Sequence, residues 1–197
     1  MSPKHDTREA WLEAAAAELE AAIFVPNDVE IPLFRVSVGS PNGRAKKTTF
    51  TMGECFPTSA SEAGLNEVFI SPTANDPVEL LQILGHEMIH VHDDCASGHR
   101  GEFARVHKLV GYVGKKTTHD IGEELHETYK EIAETLGEYP HAKMHRSSKR
   151  TSEGKKGSRN LKVQCPNEGY TIRTTRKWLD ELGAPFCPCG TQMEELS

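Results

Sequence analysis

No run of apolar residues in this chain approaches the roughly 18 to 20 that a membrane-spanning helix needs. The alanine stretch Ala14–Ala17 is hemmed in by Glu13, Glu18 and Glu20, so no membrane association is expected. The amino-terminal residues lack the apolar region and small-residue cleavage site of a secretory leader, because Lys4, His5, Asp6, Arg8 and Glu9 crowd them. The expected location is therefore the cytoplasm, or the nucleus in a eukaryotic cell. There are only five cysteines, an odd number, which argues against a disulfide framework and leaves metal binding or burial as their uses. Internal repeats are also lacking. The 197 residues, 37% hydrophobic, suffice for one main core and a small appendage.

The net charge of −6 conceals an asymmetry. Residues 1–145 carry 13 Lys and Arg against 23 Asp and Glu, residues 146–160 carry 6 against 1, and residues 161–197 carry 4 against 5. A short basic segment on an acidic body suits contact with a polyanion such as DNA, and suits a solvated linker equally well. Residues 146–160 contain no large apolar side chain. They divide the chain into a domain over 1–145, a basic flexible linker over 146–160 and a small module over 161–197.

Along the first domain, Thr7 can cap a helix to Ile23 in which Trp11, Leu12, Ala15, Leu19 and Ala22 recur at helical spacing, with Pro26 ending it. Phe34, Val36 and Val38 alternate with polar residues. The turn-forming run at 40–43 then predicts a hairpin with Thr48–Met52. Asn66–Ser71 reads as another strand. Asp76-Pro77 opens a helix with Leu80, Leu81, Ile83, Leu84, Met88 and Ile89 spread so broadly that more than one side must be buried. Further helices are predicted over 101–113, with Phe103, Val106, Leu109 and Val110 inward, and over 120–136, with Ile121, Leu125, Tyr129, Ile132 and Leu136 inward.

The chemistry is concentrated in His86-Glu87-Met88-Ile89-His90, a His-Glu-x-x-His pattern. On a helix, residues four apart lie one turn above each other, so two imidazoles converge on a zinc ion at about 2.0–2.1 Å. Glu87 then stands beside the water that the metal activates and serves as general base. With 10 His in the chain and its 22 Glu, a shuffled sequence would hold the pattern roughly 0.06 times, so context decides; here it follows an apolar strand on a well-capped helix. A catalytic zinc needs a third ligand and an open fourth position. Of His92, Asp93, Asp94, Cys95, His99, Glu102 and His107, His99 is favoured, because Gly98 and Gly101 let the chain turn back and present it. Glu102 and His107 fit supporting positions.

The run Leu84-Gly85-His86-Glu87-Met88-Ile89-His90, followed by Gly98-His99 and Glu102-Phe103, resembles the SprT-like zinc metalloproteases, which include Spartan. The likeness covers roughly residues 66–110 strongly and 161–193 more weakly. It implies an α+β, zincin-like protease domain with a short β-hairpin or sheet and the His-Glu-x-x-His helix, followed by a zinc-ribbon-like module. It also implies His86, His90 and His99 as zinc ligands and Glu87 as the catalytic acid/base. The nine positions from His90 to His99 depart from the metzincin spacing of six.

In the terminal module, Cys165, Cys187 and Cys189 stand in turns followed by glycine, as zinc knuckles require. A family ribbon would have cysteine where Glu168 stands, so either Glu168 supplies an oxygen ligand, or a remote residue completes the site, or the site binds metal weakly or not at all. Between the knuckles, Arg173, Arg176, Lys177 and Trp178 are the candidates for nucleic-acid contact. Cys55 and Cys95 read as buried or incidental thiols. Tyr112, His107 and Arg100 are candidates for stabilising the oxyanion.

The combined expectation is a zinc-dependent metallopeptidase with one catalytic zinc and a second structural zinc. Its substrate is protein, DNA-associated or DNA-crosslinked if the family likeness extends so far. The rivals are a zinc hydrolase of another amide and a non-catalytic zinc-containing DNA-binding or adaptor protein.

Overall fold

The computed structural model describes residues 4–40, 51–144 and 160–196. It is a mixed α+β structure that separates into two compact units, residues 1–146 and 147–197. No helix among the described residues is long and apolar enough to cross a membrane.

The first unit opens with helix α1, Arg8–Leu19, whose cap Thr7 accepts a hydrogen bond from the Ala10 N–H on its side chain. Trp11, Leu12, Ala15 and Leu19 are buried as expected, but Ala22 is exposed and Ile23 and Phe24 take its place. The helix widens into a π-turn over Glu20–Phe24. Its i→i+5 hydrogen bonds advance the buried face by about one residue. Pro26 does not end the structure at once, since a 3-10 turn over Val25–Asn27 carries the chain to Asp28 in the left-handed region.

Strands β1 (Phe34–Val38), β2 (Gly53–Phe56) and β3 (Asn66–Ile70) form a sheet in the order β1-β3-β2. Among the described residues β1 and β2 are not neighbours, so the predicted hairpin is not seen between them. β1 runs parallel to β3, with Val36 opposite Val68, and β2 lies antiparallel on the other side, with Cys55 opposite Val68. The reason is burial. β3 presents Asn66, Val68 and Ile70 inward and is the most buried of the three strands, so it takes the centre and needs a partner on each edge. Thr48 to Phe50 lie outside the described residues.

Helix α2, Pro77–His92, is capped by Asp76 accepting from the Glu79 N–H, with proline at its start. Its buried residues encircle it: Leu80, Leu81, Ile83, Leu84, Met88, Ile89 and Val91. Each large one contributes roughly 1.5–3 kcal/mol of hydrophobic burial, as an upper bound. It packs on β2, β3, α1 and the two helices that follow, α3 (Gly101–Leu109) and α4 (Glu123–Leu136). Leu109, expected inward, is exposed, and Val110 is buried in the turn that follows. Ile121 lies outside α4, in a β-bridge with Tyr112. Gly122 caps the helix, so it starts three residues later than the periodicity suggested.

The second unit holds β4 (Leu161–Gln164), β5 (Thr171–Thr174), a short helix α5 (Arg176–Leu182) and β6 (Glu194–Glu195), with sheet order β5-β4-β6. Its buried cluster is Val163, Cys165, Cys187 and Met193.

Candidate metal centres

One turn of α2 places His86 and His90 side by side, His86 buried and His90 half-buried. His99 comes from the loop between α2 and α3. That loop turns back through three left-handed residues, Asp94, Cys95 and Gly98. Asp94 holds it to the sheet by accepting from the Thr58 N–H at 2.7 Å, the Thr58 hydroxyl at 2.9 Å and the Asn66 amide at 2.8 Å. The Cys95 N–H closes it onto the His90 carbonyl at 2.8 Å.

The result is a convergence of ring nitrogens. His99 Nε2 lies 3.3 Å from His86 Nε2 and 3.3 Å from His90 Nε2. Nitrogens bound at about 2.0–2.1 Å to one tetrahedral ion stand roughly 3.3–3.4 Å apart, so the spacing fits a shared cation. All three donor atoms lie within 4.8 Å of one another. Phe103, fully buried on α3, forms a common wall: His90 stacks on it at 4.2 Å between ring centres, and His86 and His99 each meet it at 5.0 Å. Burial, aided by neighbouring imidazoles, lowers the pKa of His86 to about 2 and of His90 to about 4, and burial lowers that of His99. The rings are therefore neutral at pH 7, the state a metal requires.

Glu87 is buried beside the triad. Burial, with the nearby Cys95 and Glu54, raises its pKa to about 8. A cation among the histidines would draw it down again. β2 runs directly against this carboxylate. A Cβ at Gly53 would come within 2.5 Å of Glu87 Oε1 and 2.7 Å of Ile83 Cγ2, so only glycine lets the strand pass. Thr51–Phe56, the two α2 histidines, Cys95, His99 and His119 line a groove of about 490 Å³. β2 is one of the two edge strands of the sheet among the described strands.

The other candidates separate clearly. His92 faces away, bonded through Nδ1 to the Glu30 carbonyl and through Nε2 to Glu102, which also binds Arg105. Glu102 thus orients an imidazole, but not one of the triad. His107 is buried behind His86 at 6.1 Å between ring centres. Tyr112 is unsuited to an oxyanion, because its hydroxyl donates to the Gln82 carbonyl at 2.7 Å and meets Tyr129 at 3.0 Å beneath α2. Arg100 is exposed at the start of α3.

Two features escaped the sequence. His119 sits 4.8 Å from His86 between ring centres and forms a second possible metal-holding group with His86 and Glu87. It lies in the Thr117–Asp120 turn, where Thr118 bonds Asp120 and the Lys115 carbonyl, and no periodicity marks it. Cys55 and Cys95, read as incidental, meet with 3.3 Å between sulfurs.

In the second unit, Cys165, Cys187 and Cys189 converge within 4.8 Å, with 3.5 Å between the Cys165 and Cys189 sulfurs. Thiolates about 2.3 Å from a tetrahedral zinc stand roughly 3.7–3.8 Å apart. Hydrogen bonds from Thr191 draw Cys189 down to about 7, and the Glu168 N–H points at the Cys165 sulfur at 3.4 Å. The Glu168 carboxylate is not part of this donor group; the residue contributes its backbone instead. Arg173, Lys177 and Trp178 are exposed, Lys177 lying 4.7 Å over the indole. Arg176 is committed to Glu195 through two bonds, at 2.9 and 2.5 Å, which tie α5 to β6.

Both groupings could hold a metal ion. In comparisons with family models, curated proteins and solved structures, nothing matches the chain.

Proposed function

We propose that the chain is a zinc-dependent peptidase of SprT-like type, with a zincin-like catalytic unit and a zinc-ribbon-like terminal unit. The observation that carries this reading is the pair of 3.3 Å nitrogen separations on His99, with a buried carboxylate at the next position to His86. A ring nitrogen carries either one proton or one lone pair, so a hydrogen bond accounts for only one of the two close approaches on His99 Nε2, whereas a shared cation accounts for both. His86, His90 and His99 hold the ion. When bound, zinc supplies a Lewis acid that polarises the scissile carbonyl and acidifies water. Glu87 accepts the proton of the attacking water and returns it to the leaving amine. His119, whose ring centre lies 4.8 Å from that of His86, would donate to the developing oxyanion. The substrate is an extended protein segment. Arg173, Lys177 and Trp178, with the basic residues 146–160, supply contact to DNA near the target.

The test is metal analysis of the wild type and of His99→Ala, together with a protease assay with and without single-stranded DNA. Two zinc ions per chain, one lost with His99, and DNA-stimulated cleavage are expected. Retention of both ions in the variant would overturn the catalytic site. A site that binds zinc but hydrolyses nothing would leave the adaptor reading in its place.

A further inference from the structure

Cys55 and Cys95 are separated by forty positions in sequence, and their sulfurs lie 3.3 Å apart. Cys55 sits on β2, opposite Val68, and Cys95 on the loop that carries His99. Both are half-buried and both line the groove, so a small oxidant reaches them and a protein does not. Their approach is not an accident of two mobile side chains. Cys95 is held in a left-handed conformation by its N–H bond to His90, and its neighbour Asp94 is bonded to Thr58, in the 3-10 turn after β2, and to Asn66, the first residue of β3. Two thiols fixed in contact behave as reactants at very high effective concentration.

We propose that Cys55 and Cys95 form an oxidisable dithiol which peroxide converts to a reversible disulfide, clamping the His99 loop to the sheet. The chemistry closes in two steps. The Cys95 sulfur attacks one oxygen of hydrogen peroxide, giving a sulfenic acid and one water. The Cys55 sulfur then attacks that sulfenic sulfur, and the departing hydroxide takes the Cys55 proton as a second water. Two thiols lose two electrons and two protons, and peroxide is reduced to two waters. The sulfurs need to close by roughly 1.3 Å to reach bonding distance, a movement one side-chain torsion supplies. The bond then resists excursions of the loop that delivers the third nitrogen of the triad. Bond formation is independent of the peptidase reading, whereas the effect on the triad rests on it.

The two thiols share one tryptic peptide, since no Lys or Arg separates them, so the full-length protein is treated with peroxide, alkylated and cut after glutamate. The expected product is a cross-link between peptides 55–62 and 88–102, lighter by two hydrogens than the free pair and released by dithiothreitol. Recovery of both thiols alkylated, or as sulfinic acids without a cross-link, would overturn the proposal. Cys95→Ser should leave Cys55 open to alkylation after peroxide; a Cys55 that still disappears into another disulfide would also overturn it. For the consequence, zinc release to a chelator is timed in oxidised and reduced protein. Release several-fold slower after oxidation is expected, and equal rates would overturn the clamp. Protein that binds no zinc at the triad would sink the peptidase reading, while the cross-link measurement still decides this one.

Discussion

In the first unit the buried cluster runs from Trp11 to Tyr139 and includes seven residues of α2, whereas in the second it amounts to Val163, Cys165, Cys187 and Met193. The two members of the histidine triad on α2 are thus placed by core packing, and His99 by the hydrogen bonds of its loop. Two of the three thiols, Cys165 and Cys187, are themselves half of the core they stand in, and Cys189 is exposed beside it. A unit of this size rarely has enough apolar surface to fold alone and depends on a staple. A metal ion held by the thiols would therefore be part of the framework of its unit, whereas one held by the histidines would enter a core already built.

The largest expected effect breaks that comparison directly. Chelation should unfold the second unit, freeing the backbone at Arg173, Arg176 and Lys177 for cleavage by trypsin, while the first unit stays intact on a gel. Equal resistance of both units would remove the distinction, because metal binding and folding would then be uncoupled. Next in size is Glu87→Gln, which should lower cleavage of a disordered protein substrate by about 10²–10⁴-fold while zinc content is unchanged. Lost zinc in that variant would make the carboxylate a ligand.

A smaller effect tests whether packing positions the triad. A Cβ at Gly85 would meet the hydroxyls of Tyr112 at 2.5 Å and Tyr129 at 2.6 Å, both on rigid buried rings. Gly85→Ala should therefore destabilise the first unit by roughly 1–3 kcal/mol, read as a lower urea midpoint with the second unit unaffected. The smallest effect concerns the exposed face of the second unit. Trp178→Ala should weaken single-stranded DNA binding roughly tenfold at fixed low salt, measured by fluorescence anisotropy. Arg176→Ala should change affinity less, because that side chain already binds Glu195; the reverse order would show that Arg176 leaves its partner on binding.

What could be read from the sequence was local. Helix starts at Thr7 and Asp76, the apolar face of α2 and the one-turn spacing of His86 and His90 follow from short-range rules, and the structure agrees. The choice of His99 rested on glycines that permit a turn, and its nitrogen lies where a third ligand would. What escaped was set by long-range pairing. The parallel match of β1 with β3 depends on which strand is most buried, not on the turn at 40–43. The π-turn in α1 shifted the buried face without any residue announcing it. His119 and the Cys55–Cys95 contact are brought in by chain segments distant from the motif. Helix α5 was missed because it is short and buries no residue, so it has no apolar period to detect.

The position of β2, at a sheet rim and flush with the carboxylate, bears on what such an enzyme would accept. A strand rim offers amide and carbonyl groups to any extended backbone and is nearly blind to side-chain identity. A polypeptide already engaged in its own helices or sheets has no spare ladder to offer. Choice among targets would therefore fall on whether a stretch has come loose, and restraint would have to come from how the enzyme is brought to its victim.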